Sequence, residues 1–448
     1  MKKKTIIIIL IIVILLIIAG IIIYKNSQKS AKLESLEIAT IWGARVSGSG
    51  LEGDVLDFES ASVSDYNKLA RQGFMKGVQN SRQNLDITEV LIGDSFDVKS
   101  FINKVNEIFS NNDVLMTVGT LNDESTMYTS MQMNFFKIPM LIPYADGNLS
   151  PDSMGADFSV RMTPSSDKYG TFFDALFSSY ISDFLNTYVF GGKVLPIYGT
   201  GVSVFFMNNF NGNETAVKIT QKIIDNGYSV NNYVPFPEDG LLNAVQAAWI
   251  SDSEKLENSS AVVLIEEDQA DVYGISEIWH TWADRGLYPK FFLVGFEPID
   301  IDQDLIDADN VFFIQQYVDI ASCPAGIVNR AEAKGYAAGQ IMIKALQAAV
   351  KTQPPEPVGM SLWFKSEEKK SEIHQDYLDS FRSNIRTALI NMKENIPCYG
   401  QVDFNADPDD QTSLEVVRYI GKNQYVPVDT DVFNSYVIEQ NRAIYGID

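Results

Sequence analysis

Short apolar runs that end at a glycine or a polar turn alternate along this chain with segments of helix length. Residues 113–170 show the pattern most clearly: an apolar run at 114–118 ends at Gly119, residues 125–136 have helix length, and residues 138–142 form the next apolar run. Such runs are typical of buried parallel strands, and their alternation with helices predicts a doubly wound α/β sheet.

The same alternation continues on both sides of this stretch. Helices are predicted at residues 65–83, 97–110, 171–188, 216–226, 272–284, 330–351 and 363–391. Strands are predicted at residues 36–42, 87–92, 193–198, 260–265, 291–295 and 311–317. This much chain is large for one domain, so we expect two lobes.

Polar turns follow two neighbouring predicted strands, at residues 121–125 and 144–150. In an open parallel sheet, the turns at the carboxyl ends of the strands form the ligand crevice. These turns therefore predict a binding site, although an ordinary α/β fragment would explain this stretch equally well.

The amino-terminal region carries a long apolar run. Residues 6–23 contain no charged residue and follow three lysines. Eighteen helical residues span roughly 27 Å, which is enough to cross a hydrocarbon core. We predict a single transmembrane helix with the lysines cytoplasmic and the bulk of the chain extracytoplasmic, either periplasmic or extracellular. A cleaved signal peptide is the alternative, and it would export the remainder too.

The charge balance excludes some partners. The formal net charge is −23, from 35 basic and 58 acidic residues. So acidic a chain is unsuited to nucleic acid or to docking on an anionic bilayer. Because 46% of the residues are hydrophobic, the chain can still bury large cores.

Few residues are available for metal or nucleophilic chemistry. Cys323 and Cys398 are the only cysteines, and His280 and His374 are the only histidines. An exported chain would permit a disulfide, but two separate buried thiols fit the sequence equally well. We predict no zinc cluster, no cofactor and no enzyme, since P-loop and nucleophile-elbow motifs are also missing from the sequence. The acids at residues 403–410 do not have the EF-hand spacing.

Three motifs carry a resemblance to a known family. They are GTLNDEST, IPMLIPYADGNLS and FSVRMTPSSDKYG, and a later segment, GQVDFNADPDD, adds a fourth. In this order, the chain resembles the type I periplasmic-binding family, specifically the substrate-binding proteins of branched-chain amino acid (Leu/Ile/Val) ABC transporters. The resemblance covers roughly residues 36–428.

The resemblance implies two doubly wound lobes joined by three hinge crossings: near Arg161, near Glu297, and between Pro354 and Cys398. A small-molecule ligand is expected between the lobes, with a membrane permease as the partner. The implied division is an anchor and tether at 1–35, lobe 1 at 36–162 and 298–392, and lobe 2 at 163–297 and 393–448.

The family's site maps onto this sequence position by position. A hydroxyl residue that holds the ligand carboxylate falls at Asp123, close to Ser125, and the rest of that clamp falls at Tyr144 and Asp146. The lobe 2 groups that hold the ligand ammonium fall near Asp271 and at Glu297, of which only Glu297 keeps the family's residue type. With the possible cleft aromatics, the candidate ligand-binding residues are Trp42, Asp123, Ser125, Tyr144, Ala145, Asp146, Tyr198, Asp271 and Glu297.

Two of these positions depart from the family in a way that bears on the ligand. Ionised Asp123 and Asp146 offer only acceptors and would repel a carboxylate. If both face the cleft, the ligand is donor-rich: a polyamine, a basic amino acid, an amide or a hydrated metal. If they face solvent or cap helices, an ordinary amino acid remains possible.

Two function classes compete after an enzyme is set aside. The first is a solute receptor that hands its ligand to an ABC permease. The second is a membrane-anchored pair of sensor lobes for a signalling partner, which an uncleaved anchor would suit. Paired carboxylates are too common in so acidic a chain to indicate catalysis.

Overall fold

The computed structural model describes residues 36–44, 65–80, 85–93, 98–111, 113–119, 123–145, 157–177, 187–190, 193–196, 201–237, 240–265, 272–296, 301–308, 310–354, 365–404, 414–421 and 424–428. The predicted membrane helix at residues 6–23 lies outside these ranges. Among the helices that the structure does describe, none combines the length and the apolar character needed to cross a bilayer.

The helices alternate with strands through most of the chain. The described helices are α1 (Asp65–Asn80), α2 (Val98–Asn111), α3 (Asp123–Phe136), α4 (Ser166–Phe177), α5 (Phe210–Asp225), α6 (Leu241–Glu257), α7 (Val272–Ala283), α8 (Gln303–Asp307), α9 (Arg330–Thr352) and α10 (Glu367–Ile390). A short 3₁₀ helix lies at Ile320–Ser322.

The first sheet comes from the amino-terminal part of the chain. Its strands are β1 (Glu37–Ala44), β2 (Asp86–Gly93), β3 (Met116–Val118), β4 (Met140–Ile142) and β5 (Ser159–Arg161). They pair in the order β2-β1-β3-β4-β5, and every pair is parallel. We call this sheet and the helices packed on it lobe 1.

The second sheet is larger and mixed. Its strands are β8 (Gly201–Met207), β9 (Ser229–Phe236), β10 (Ser259–Ile265), β11 (Lys290–Val294), β12 (Val311–Gln316), β15 (Leu414–Gly421) and β16 (Gln424–Pro427). Their order is β16-β15-β12-β11-β10-β8-β9, parallel from β9 to β12 and antiparallel beyond. We call this sheet and its helices lobe 2.

Helices cover both faces of each sheet, as the apolar runs require. In β1, Ile38 and Trp42 join a core with α1, α9 and α10, whereas Ala39 and Ile41 join a second core with α2 and α3. This is the two-residue period of a strand buried on both faces. The confirmed part of the predicted architecture is thus an α/β fold with parallel-sheet lobes.

Helices α1 and α9 pack with their backbones in close approach. Each carries a G-x-x-x-G pattern, Gly73 with Gly77 and Gly335 with Gly339. A Cβ added at Gly77 would lie 2.5 Å from the carbonyl oxygen of Tyr336, and one added at Gly339 would lie 2.7 Å from that of Phe74. Glycine therefore sets the distance between these two helices.

The chain passes between the lobes three times. It leaves lobe 1 after β5, because α4 packs on lobe 2. It returns between β12 and α9, and leaves again between Phe404 and β15, because Phe404 still lies in the lobe 1 core.

Two predicted boundaries are therefore wrong. Return to lobe 1 was expected near Glu297, but the strand at residues 311–316 belongs to the lobe 2 sheet, where it pairs with β11 and β15. Residues 393–404 were assigned to lobe 2, but the hairpin of β13 (Lys393–Ile396) and β14 (Gly400–Asp403) packs its apolar side on lobe 1. Strand pairing, which the sequence does not show, decides both cases.

A disulfide joins the second crossing to this hairpin. Cys323 and Cys398 are bonded, with 4.6 Å between their Cα atoms. The backbone amide of Cys398 also donates to the Ser322 hydroxyl at 2.8 Å. Of the two alternatives that the sequence left open, the structure shows the disulfide.

Candidate functional site

The carboxyl ends of strands from both sheets meet at the crossings between the lobes. The side-chain amide of Gln316, the last residue of β12, donates to the Met162 carbonyl directly after β5, at 2.8 Å. The Tyr399 hydroxyl donates to the same carbonyl at 2.9 Å. Since strands β5 and β12 both end here, the carboxyl edges of the parallel strands in both sheets open towards the same hinge.

Lobe 1 contributes the turn between β3 and α3. Gly119 has φ +133°, and a Cβ there would lie 3.1 Å from the Ile41 carbonyl carbon, so the turn requires glycine. Helix α3 starts at Asp123, and Ser125 and Thr126 in its first turn are buried. The helix therefore presents hydroxyls and its amino-terminal N–H groups at the carboxyl edge of the sheet.

Ala145 lies in the loop after β4, beside the first crossing. It is buried, and its carbonyl accepts a hydrogen bond from the Thr163 hydroxyl. This bond ties the loop after β4 to the segment that leads into lobe 2. With only a methyl side chain, Ala145 can make polar contacts through its backbone alone.

Two predicted cleft aromatics lie in the lobe 1 core. Trp42 is 1% exposed, its indole N–H donates to Thr40 at 3.1 Å, and its ring packs on Phe74 with centroids 5.9 Å apart. Tyr144 is also buried and makes an edge contact with Tyr66 at 5.9 Å. This packing places both side chains in the core and does not support their contact with a ligand.

Lobe 2 contributes a run of asparagines after β8. Asn208 is exposed directly beyond the strand, and its side-chain oxygen accepts from Asn213 at 3.3 Å. Asn209 caps α5 by accepting from the Gly212 amide at 2.8 Å. These side chains hold the first turn of α5 at the carboxyl edge of the second sheet.

Buried polar groups join this turn to the first crossing. The Ser166 hydroxyl, at the start of α4, donates to the Asn211 side-chain oxygen at 3.0 Å and lies 3.0 Å from the Thr215 hydroxyl. The lobe 2 edge is thereby fixed to the segment that arrives from lobe 1.

This asparagine-rich edge was not among the predicted site residues. A buried strand was predicted at residues 193–198, but β7 (Lys193–Pro196) pairs only with β6 (Thr187–Phe190) in a separate hairpin among the described strands. The predicted helix at 171–188 ends earlier, as α4 at Phe177. The signal that could have found the edge was the fully buried run GVSVFFM followed by NNFNGN.

The loop after β11 is anchored by Gln315. Its side-chain amide donates to the Phe296 carbonyl at 2.8 Å and lies 3.2 Å from the Tyr419 hydroxyl. Gly295 has φ +82°, so the backbone turns sharply as it leaves the strand. Glu297 directly follows Phe296 in the sequence and lies outside the described residues.

The remaining predicted site residues lie outside the described residues. They are Asp146, Tyr198, Asp271 and Glu297. Asp123 is described only as the first residue of α3, a position that also fits its helix-capping alternative. Ser125 and Ala145 are the predicted residues that the structure brings to the carboxyl edge of lobe 1.

Two carboxylates act on Tyr317 in the second crossing. Burial, together with the carboxylates of Asp319 and Glu415, raises the pKa of Tyr317. In the part of the chain that the structure describes, no group of three or more His, Cys, Asp or Glu side chains could hold a metal ion.

Solved structures share the fold of this chain. A leucine-binding protein from Thermotoga maritima superposes with a TM-score of 0.59 at 12% identity, over 88% of this chain and 98% of that one. A possible leucine/isoleucine/valine-binding protein from Rhodopirellula baltica gives 0.59 at 13% identity, over 90% and 99%. The chain has the type I periplasmic-binding fold.

A third structure with the type I binding fold was solved with its ligand. It is the branched-chain amino acid substrate-binding protein of Streptococcus pneumoniae in complex with isoleucine, with a TM-score of 0.57 at 12% identity, over 88% of this chain and 99% of that one. No protein-family model matches this chain. No curated protein matches it either. These neighbours are binding proteins, not enzymes.

Proposed function

We propose that this chain is a non-enzymatic, extracytoplasmic solute-binding protein that closes around a small polar ligand and delivers it to an ABC permease. The observation that carries the proposal is the meeting of both sheets' carboxyl ends at one hinge, at Met162 and Gln316. A ligand that contacts both lobes only when they are closed shifts the protein towards the closed conformation. The structural neighbours, which include a leucine-binding protein and a substrate-binding protein in complex with isoleucine, support the same role.

The proposed ligand carries an ammonium or amide group: an amino acid, an amide or a polyamine-like molecule. Lobe 1 would contribute Ser125 and the Ala145 backbone, and lobe 2 would contribute Asn208. Asp123, Asp146, Asp271 and Glu297 would add acceptors if they face the cleft, which favours donors on the ligand.

We further propose that residues 6–23 anchor the protein in the cell membrane, with residues 24–35 as a tether. The charge-free length of this run supports the anchor. An anchored sensor for a signalling partner is the second candidate function, and the same run favours it. A permease or a signalling protein that co-purifies with the full-length chain would separate the two.

Titration calorimetry with leucine, isoleucine, glutamine, arginine and spermidine tests the proposed ligand class. We expect one of them to bind, and Asn208→Ala to weaken that binding about 10-fold, a loss of about 1.4 kcal/mol. Asn258→Ala is the matched control, because Asn258 is also exposed in lobe 2 but lies at the opposite edge, at the end of α6.

Two outcomes count against this assignment. Equal weakening by Asn208→Ala and Asn258→Ala would remove the lobe 2 edge from the site. Tight binding of leucine with no binding of arginine, glutamine or spermidine would remove the donor-rich cleft while leaving the solute-binding role.

A further inference from the structure

Arg330 belongs to lobe 1 by its backbone and to lobe 2 by its side-chain contacts. It is the first residue of α9 and is 6% exposed. Its Nη1 lies 2.7 Å from Glu415 Oε1 on β15, and its Nη2 donates to the Gln316 carbonyl at the end of β12. Its guanidinium also lies over the Tyr425 ring of β16, 4.9 Å from the centroid.

This is an unfavourable place for a cation if stability were the only purpose. A positive charge at the amino terminus of a helix opposes the helix dipole, and α9 is 23 residues long. Burying both members of an ion pair also costs desolvation that their attraction only partly offsets. What the arrangement does provide is orientation, since a planar guanidinium with three partners fixes angles as well as distance.

The segment between β12 and α9 is held to lobe 1. Its Cys323 is bonded to Cys398 of the β13–β14 hairpin, and Val318 and Ile327 pack with Tyr336 of α9. Bending between the lobes along this crossing is therefore concentrated near Gln316 and Tyr317. Arg330 reaches across that short joint to three strands of lobe 2.

We propose that Arg330 is the positioning residue that sets the angle between the two lobes. It does so through Glu415 and the Gln316 carbonyl, without being part of the candidate ligand site. The ligand-free protein then occupies a narrow range of lobe angles. This restriction of the hinge does not depend on the proposed function.

Pulsed electron spin resonance on the ligand-free, full-length protein tests this. Spin labels on cysteines placed at Asn103 in lobe 1 and Glu277 in lobe 2, both exposed, report the distance between the lobes. We expect Arg330→Met to broaden the distance distribution at least about 1.5-fold, because lobe angles that the Arg330 contacts exclude become populated. Glu415→Gln should broaden it as well, and Arg330→Lys should recover part of the width.

Arg71→Met is the matched control. Arg71 forms an equally close pair with Glu89, at 2.8 and 2.6 Å, but both residues lie in lobe 1. Its removal should leave the distribution unchanged. Thermal unfolding shows which variants fold; if Arg330→Met does not, Glu415→Gln decides the outcome.

An unchanged width in the folded Arg330→Met and Glu415→Gln variants would overturn the proposal, as would equal broadening by Arg71→Met. Because no ligand is added, these results are independent of the calorimetric test. If Arg330 does not restrict the lobe angle, the proposed solute binding is unaffected. If no solute binds, the proposed role of Arg330 is unaffected.

Discussion

Replacing Gly73 by alanine is expected to destabilise lobe 1 by about 2–3 kcal/mol, the upper part of the usual cost of overpacking a well-packed core. A Cβ at this position would lie 2.7 Å from the Glu332 carbonyl carbon and closer still to its oxygen. Both are backbone atoms of α9, so no side chain can rotate away. Helices α1 and α9 must move apart, which opens the core that they share with β1.

Gly274→Ala is the control for Gly73→Ala. Gly274 also lies in a helix, α7, but an added Cβ there has nothing within 4 Å. Alanine should then stabilise the helix by up to about 1 kcal/mol. Urea unfolding followed by circular dichroism measures both variants, and a Gly73→Ala midpoint at or above that of the wild type would show that the helices are not in backbone contact.

Replacing Lys290 by methionine is expected to stabilise lobe 2 by at least about 2 kcal/mol at pH 6. Lys290 begins β11 and is 1% exposed, and burial lowers its pKa from 10.5 to about 7. A shift of that size corresponds to about 5 kcal/mol as an upper value. Methionine keeps a flexible chain of similar length without the charge.

The lowered pKa of Lys290 makes the free energy of unfolding of the wild type depend on pH. Between pH 7 and 10.5 the unfolded lysine binds a proton that the folded one has released, so wild-type stability rises with pH across this window. The advantage of Lys290→Met should be largest below pH 7 and fade towards pH 10.5. Denaturant titrations at pH 6, 8 and 10 measure it.

The exposed Lys369 provides the control, and Lys369→Met should change stability by less than about 0.5 kcal/mol at each pH. A Lys290→Met variant with the same stability as the wild type at pH 6 and at pH 10 would contradict the assignment of a buried, destabilised charge.

The alternation of apolar runs and helices was enough to predict the layered α/β architecture. The burial pattern of β3 and β4, with every residue inside, is what a short continuous apolar run indicates. The predicted helix at 330–351 and the observed α9 differ by a single residue at the carboxyl end.

The positions of the hinge crossings could not be predicted from the sequence pattern in the same way. The run VFFIQQ has the composition of a core strand in either lobe, and only its pairing with β11 and β15 assigns it to lobe 2. Likewise, residues 393–404 follow a lobe 1 helix and precede a lobe 2 strand, so their side of the hinge depends on tertiary packing.

The position of the turn after β3 was predictable, because that turn follows a clearly recognised strand. Gly119 and Ser125 follow β3 and lie at the sheet edge as expected. Trp42 shows the limit, because its place on the core-facing side of β1 depends on packing against Phe74. Asn208 was missed because the strand before it was placed too early.

Ligand-induced closure tests the central claim most directly. Spin labels at Asn103 and Glu277 report the lobe separation before and after addition of the panel member that binds most tightly. We expect the distance between the labels to shorten and its distribution to narrow when that ligand is added. Binding with no change in the distance, or a separation that no panel member alters at saturating concentration, would contradict a hinged receptor that closes on its ligand.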